Sequence, residues 1–493
     1  MLNSKVLNIY NKFYKNSLLL IVSLFLLNCQ TNPASGDKEF TLMSKEEEKS
    51  IGKFEHKKII KQFGGVYDNL KLKNYIDSLG NFLVSTSELS NQKFTFTILD
   101  SHIVNAFALP GGYIYVTRGL LALCKNEAQL SGVLAHEIGH VTARHSARRY
   151  TKVFGTGVLA NIIGSVLGTN NYALENLVGQ TANLYLLSYS RDQEYEADNL
   201  ALRYMSKAGF KIDEMGGFLS SMEQYKKLYF KMNKLEVSDS QSDLLSTHPL
   251  SSKRVNRVLI ESKKFNIASP IIGKEMYLKK IDGISFGEKS SEGTLFKNTF
   301  VHPALKIEFS FNNYFYFINK PKYIIGLGPN KEKIIIDIDS SKNRSADILE
   351  YAKKILGKKF PNTYNRSLIN GLEYIDIVYE KSKNKNRLAI IKDGENYFRI
   401  LLTENTKKLS VKSDAAFQKI LSSFKKISEK DKIINYRKVL KKIRVKNGDT
   451  IDKLSDMQSL QPQFSKQIFK TINGLEDRKL LPGESLKIVS FIH

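Results

Sequence analysis

A chain of 493 residues exceeds one ordinary hydrophobic core and calls for several domains. Its 42% hydrophobic and 11% aromatic content excludes an intrinsically disordered chain. The formal net charge of +26 invites nucleic acid, but the lysines are spread among Asn and Ile, and no basic run carries interleaved aromatics. We therefore expect no nucleic-acid partner, and anionic lipid or peptidoglycan is the better match for the charge.

Lys5, Lys12 and Lys15 precede an apolar run over 18–27, too short for a comfortable membrane span but suited to a signal-peptide core. The run ends Leu26-Leu27-Asn28-Cys29, which resembles a bacterial lipobox. Residues 1–28 are expected to be a lipoprotein signal peptide, with Cys29 lipidated as the new N-terminus. An uncleaved signal anchor is the alternative, and both place the chain at a membrane. Cys124 is the other of the 2 cysteines, so lipidation of Cys29 excludes an internal disulfide and a Cys-type metal site. Residues 29–49 are polar and turn-rich and are expected to be a tether.

Residues 46–61 and 70–84 carry helical spacing, and 94–99 alternates as a strand. Pro110-Gly111-Gly112 marks a turn followed by the β-branched and aromatic run Tyr113 to Thr117, so a hairpin is predicted. Its edge strand, at Asn105, Ala106 and Phe107, can pair with an extended peptide, unless the hairpin only completes the sheet.

Asn126 is a plausible N-cap for a helix running to about Arg148. That helix carries His136-Glu137-Ile138-Gly139-His140. At about 100° per residue, His136 and His140 lie one turn apart on one face and can share a metal ion, with Glu137 beside them as general base. On the same continuous helix His145 falls opposite His136, which suits a packing or solvent-facing residue better than a ligand. Residues 153–174 hold no charge but include Gly155, Gly157, Gly164 and Gly168, and read as a hairpin or mobile segment packed near the site or dipping into the bilayer surface, or as plain buried core.

The next helical run starts near Ser190-Arg191-Asp192. Glu194 and Asp198 share a face, with Glu196 about 200° away. Glu194 can supply a third ligand and Asp198 can accept the ring N–H of a ligand histidine, although a solvated acidic face has the same pattern. At Thr247-His248-Pro249, His248 can stabilise an oxyanion, fill a fourth ligand position, or simply make turn hydrogen bonds; this residue alone does not choose.

The ordered set His136-Glu137-x-x-His140, Ser190-Arg191-x-x-Glu194-x-x-x-Asp198 and Thr247-His248-Pro249 resembles the M48 family of zinc metallopeptidases. Asn105 to Gly112 and Val141-Thr-Ala-Arg144-His145 match the surroundings of its motif. Thr31 to Gly36 and Leu42-Met43-Ser44 resemble the mature start of its periplasmic lipoprotein branch. The resemblance implies a mainly helical, gluzincin-like peptidase domain with a small sheet over 50–265. It implies one Zn2+ per chain on His136, His140 and Glu194, Glu137 as base, and protein or peptide substrates in the cell envelope. No repeat of about 34 residues is visible, so a tetratricopeptide region is not expected.

Residues 270–430 read as an α+β domain, with strands at 305–311, 334–338, 374–379, 388–391 and 398–402 and a helix at 345–356. His302 is isolated there and reads as structural. Residues 436–493 read as strand, two short helices and strand, a βααβ unit that resembles a LysM module and so implies peptidoglycan as a partner. The fold class is therefore α+β throughout, and the function implied is a membrane-anchored zinc endopeptidase. A wall-binding lipoprotein with a latent or vestigial protease site is the alternative.

Overall fold

The computed structural model describes residues 29–153, 188–234, 248, 252–340, 347–382, 384–427, 437–475 and 478–492. The expected signal segment and most of the glycine-rich stretch lie outside these residues. Helices and sheets alternate throughout, in agreement with an α+β class. The chain divides into two compact units, 1–223 with 241–280, and 224–240 with 281–493. Among the described residues no helix is long and apolar enough to cross a membrane.

In the first unit, β1 (Cys29–Thr31) pairs antiparallel with β2 (Lys38–Phe40). The Asn32 side chain accepts from the Ala34 amide and closes the turn between them. Asn32, Thr41 and Met43 are buried, and the Met43 carbonyl accepts from Arg144 Nη2 at 2.8 Å. Residues 29–49 are thus folded onto the unit rather than forming a free tether. Their polar residues make turns and caps, which composition alone does not distinguish from a linker. Ser44 and Glu47 form a capping box that starts α1 (Lys45–Gln62).

Helix α2 (Leu70–Ser85) buries Leu72, Ile76, Leu79 and Leu83 at helical intervals. The small sheet holds β3 (Thr95–Leu99), β4 (Ala106–Leu109) and β5 (Tyr113–Thr117) in the order β3-β5-β4. β5 runs parallel to β3 and antiparallel to β4, which leaves β4 at an edge. A short α3 (Arg118–Leu123) follows.

Helix α4 (Glu127–Thr142) starts at Asn126, whose side chain accepts from the Gln129 amide. It is buried on nearly every side, as an interior helix must be. It does not continue to Arg148. Ala143 caps it, Arg144 takes φ 52°, and helical structure resumes only from residue 145. Arg144 is held in that left-handed conformation by ion pairing to Glu48 at 2.9 Å and by its bond to Met43. Nothing in the local sequence marks this break, because the tie comes from residues far back in the chain.

α5 (Arg191–Lys207) begins with a capping box of Ser190 and Gln193. It packs closely on α4 because position 139 has no side chain: a Cβ on Gly139 would lie 3.1 Å from the Ala197 carbonyl oxygen. α6 (Glu214–Asn233), α7 (Ser252–Ser262) and α8 (Lys274–Lys280) follow.

The second unit includes the later part of α6, from residue 224, and its strands begin with β6 (Thr294–Phe296), β7 (Thr299–His302) and β8 (Ile307–Ser310). Next come β9 (Tyr316–Lys320), β10 (Tyr323–Leu327), β11 (Lys333–Asp339) and α9 (Ile348–Leu356). Then follow β12 (Asn365–Ile369), β13 (Leu372–Lys381), β14 (Asn384–Asp393), β15 (Asn396–Thr403), α10 (Val411–Ser423) and β16 (Lys425–Lys426). A seven-stranded antiparallel sheet has the order β12-β13-β14-β15-β11-β10-β9, and a four-stranded one has β16-β8-β7-β6. Phe417, Ile420 and Leu421 of α10 share one core with Phe309, Phe317 and Ile400, while Ile348, Tyr351 and Ala352 of α9 join Ile375 and Ile390 in another. His302 Nδ1 accepts from the Leu305 amide, a local turn bond.

The end of the chain forms β17 (Arg437–Arg444), α11 (Ile451–Asp456), α12 (Pro462–Asn473) and β18 (Ser485–Ile492), with β17 antiparallel to β18. This is the βααβ order. The outer edge of β17 is taken up by residues 283–286, whose Gly283 amide donates to the Leu440 carbonyl at 2.8 Å. Gln461 bonds both backbone groups of Phe317. The βααβ segment is therefore tied into the second unit rather than loosely appended.

Candidate metal centre

Helix α4 carries His136 and His140 on one face, and their Nε2 atoms lie 3.0 Å apart. α5 brings Glu194 in from the side: its Oε2 is 3.5 Å from His136 Nε2 and its Oε1 3.5 Å from His140 Nε2. His248 closes the group, with Nδ1 2.9 Å from Glu194 Oε1 and 3.3 Å from His136 Nε2. One ligand atom from each of the four lies within 4.8 Å of all the others. Three imidazole nitrogens and a carboxylate oxygen form a donor set suited to zinc.

The electrostatics fit a cation. Burial disfavours ionisation of Glu194, but the charges of His248 and Arg254 outweigh it and hold the carboxyl well below the usual range. Burial drives His140 well below the ordinary histidine value, so its ring is neutral and has a lone pair to offer. Burial and Arg254 pull His136 down, but hydrogen bonds to Asp198 and Glu194 prevail and raise it to about 9. A metal ion can take over the favourable interaction that a proton otherwise has there.

Glu137 is buried beside these donors. Its Oε1 is 3.3 Å from His248 Nε2, and its Oε2 has no hydrogen-bond partner among the described residues. Burial raises its pKa, against the pull of His248 and His136. An orphaned carboxylate oxygen at the edge of a metal group is free to receive a proton. The adjoining cavity is mostly apolar, lined by Leu120, Val133, Met215, Phe218 and Leu219 as well as by Asn105 and Ala106. The Ala106 end of β4 thus borders the site. The Phe107 side chain points the other way, into a core with Ile59, Leu99 and Tyr115.

Residues 70–261 match the family model "Peptidase family M48". This is a peptidase family M48 domain. The family is one of zinc metallopeptidases, and the four donors fit its metal. The chain is 29% identical over 232 residues to the beta-barrel assembly-enhancing protease of Yersinia pestis, covering 45% of this chain and 46% of that protein. The Escherichia coli K12 protein of the same name is 28% identical over 243 residues, with 48% of each chain covered. The mitochondrial metalloendopeptidase OMA1 of Schizosaccharomyces pombe is 28% identical over 236 residues, covering 46% of this chain and 64% of that one. The chain spans about half the length of the bacterial relatives it matches.

Around the M48 donors the structure places groups in both expected and unexpected positions. Asp198 Oδ1 is 3.0 Å from His136 Nδ1, where the ring N–H is expected to point. Arg254 was not singled out by sequence. It is buried, grips both oxygens of Asp198 at 2.7 Å and reaches Glu194 Oε2 at 2.5 Å. The available signal was its neighbour Val255 and, one turn on, Val258, both buried, which put a charged residue on the inner face of an amphipathic helix. Tyr189 stacks on the His140 ring with centroids 4.0 Å apart.

His145 is a packing residue and not a ligand, as expected, but it does not point in the direction that a continuous helix would give it. It is fully buried, and its Nδ1 lies 2.8 Å from His140 Nδ1. The break at Arg144 invalidates the continuous-helix angle and turns the ring towards the site. It is still not one of the four donors.

Proposed function

We propose that this chain is a zinc-dependent endopeptidase of the bacterial cell envelope. On this reading it is lipid-anchored through Cys29, faces the periplasm and hydrolyses peptide bonds of misfolded or stalled envelope proteins. One observation carries the proposal: His136, His140 and Glu194 converge on one point beside the Oε2 of Glu137, which has no hydrogen-bond partner among the described residues. The names of the bacterial relatives support the envelope setting, and the lipobox-like Leu26 to Cys29 supports the anchor.

Bound zinc supplies a Lewis acid that polarises the scissile carbonyl and acidifies water. Glu137 takes the proton of the attacking water and passes it to the leaving amine. Asp198 orients His136, and Arg254 holds Asp198 and Glu194 in register. The outward backbone groups of β4 can pair with an extended substrate, which places a side chain in the apolar cavity.

Glu194→Ala removes the carboxylate ligand. Zinc content, measured by metal analysis after dialysis, is expected to fall from one equivalent per chain to a minor fraction, and casein cleavage to disappear. A fully loaded Glu194→Ala chain sinks the ligand assignment.

His248 touches the donors and the base at once, which suits a fourth ligand that closes the site at rest. On this reading His248→Ala raises kcat/KM about tenfold, equivalent to about 1.4 kcal/mol of lost competition. A fall of about 10²–10³-fold marks His248 as an oxyanion stabiliser instead.

The βααβ order of 437–492 supports a second reading, a LysM-like glycan-binding end on the same protein. Co-sedimentation of the full chain with purified sacculi tests it; no retention at physiological salt rules it out.

A further inference from the structure

The break between α4 and the helix that begins at residue 145 leaves a chain of three side chains behind His140. His145 Nδ1 is 2.8 Å from His140 Nδ1, and His145 Nε2 is 3.1 Å from Glu196 Oε2. That same Glu196 oxygen accepts from Arg148 Nη1 at 2.8 Å. We propose that His145 and Glu196 are positioning residues for the metal, a relay that locks His140 in the tautomer whose Nε2 lone pair faces the other donors.

Two Nδ1 atoms at 2.8 Å must share a single hydrogen, so one ring donates and the other accepts. A carboxylate ionised by its Arg148 contact only accepts, so His145 Nε2 carries the hydrogen directed at Glu196. A neutral imidazole has one N–H, which makes His145 Nδ1 the acceptor. His140 Nδ1 therefore donates, and its Nε2 is bare. That is the atom 3.0 Å from His136 Nε2 and 3.5 Å from Glu194 Oε1.

Asp198 achieves the same result for His136 without an intermediate, since it lies directly on Nδ1 at 3.0 Å. Both orienting carboxylates sit on α5, as does the ligand Glu194. One helix thus supplies a ligand and sets the tautomers of the other two. His145 spans the extra distance to Glu196, whose side chain is 31% exposed, while the His145 ring is at 0%.

The relay rests on the zinc reading above, and the test separates the two. Zinc affinity of the full chain is measured by competition with a chromophoric chelator, alongside thermal unfolding of the metal-free chain. His145→Phe keeps an aromatic ring but offers no acceptor. It is expected to weaken zinc binding by about 10–100-fold, the usual range for losing an outer partner. His145→Asn puts a carbonyl oxygen near the Nδ1 position and is expected to recover most of that loss. Its recovery in affinity should exceed any recovery in metal-free Tm. A merely structural role predicts instead that affinity follows Tm through both variants, and that result overturns the relay.

Where His145→Phe does not fold, Glu196→Ala decides. It frees His145 to take either tautomer and is expected to weaken zinc binding by at least about threefold, less than the full range because solvent partly replaces an exposed partner. Wild-type affinity in Glu196→Ala overturns the relay. A wild-type chain that binds no zinc overturns the zinc reading itself.

Discussion

Glu137→Gln is expected to bind zinc like the wild type and to lower kcat by about 10²–10⁴-fold, the range that a general base contributes. The two halves of this expectation have separate causes. Glu137 is not among the four convergent donors, so its charge is not needed to hold the ion. Its Oε2 is buried and lacks a hydrogen-bond partner among the described residues, an arrangement that is costly unless that oxygen has work to do. Glutamine keeps the shape and one carbonyl oxygen near His248 Nε2, but it cannot take up a proton. Because burial already raises the Glu137 pKa, removal of its charge relieves desolvation, and the fold should not suffer. Metal analysis and a fluorogenic casein assay on the same preparation check both halves. Unchanged cleavage sinks the role of base, and lost zinc moves Glu137 among the ligands.

The sequence carried the parts of this site that depend on local periodicity. His136 and His140 face one way because they lie one turn apart in an unbroken helix. Glu194 and Asp198 are one turn apart in another, started by a capping box at Ser190. His145 could not be read that way. Its direction is set by a left-handed residue, Arg144, and that conformation is secured by Glu48 and Met43, 96 and 101 positions earlier. Arg254 was hidden for a similar reason: a basic helix start usually faces water, and only the assembled carboxylates of Asp198 and Glu194 make its burial favourable.

In the second unit the strands β11, β13, β14 and β15 were visible as β-branched runs, and they form the middle of the large sheet. β9, β10 and β12 were not foreseen. β9 and β12 are the edge strands and β10 lies between β9 and β11, and the apolar pattern of all three is diluted by residues such as Asn319, Gly326 and Arg366. α10 has no counterpart in the sequence reading, although its buried Ala416, Phe417, Ile420 and Leu421 lie at helical spacing. The folded stretch after Cys29 reads as a tether in sequence because turn residues look alike whether or not their side chains cap something.

Arg254→Ala is expected to destabilise the metal-free peptidase unit by about 3–5 kcal/mol, the usual result of stranding buried opposite charges. Arg254 touches both oxygens of Asp198 and one of Glu194, and all three side chains are at most 4% exposed. Alanine leaves two carboxylates in a space too dry for both to stay ionised. For a unit of this size, about 2–4 °C of Tm corresponds to each kcal/mol, so the first unfolding transition should fall by roughly 10 °C. Zinc should restore part of this, because it binds only the folded site and brings positive charge to Glu194. At a hundredfold excess over Kd the restored stability is about 2.7 kcal/mol. Asp198 is not a donor to the ion and would remain uncompensated except by His136, so recovery should be incomplete. Calorimetric scans of wild type and Arg254→Ala, with and without zinc, separate the contributions. Equal metal-free transitions would falsify the view that Arg254 is the counter-charge around which this centre is assembled.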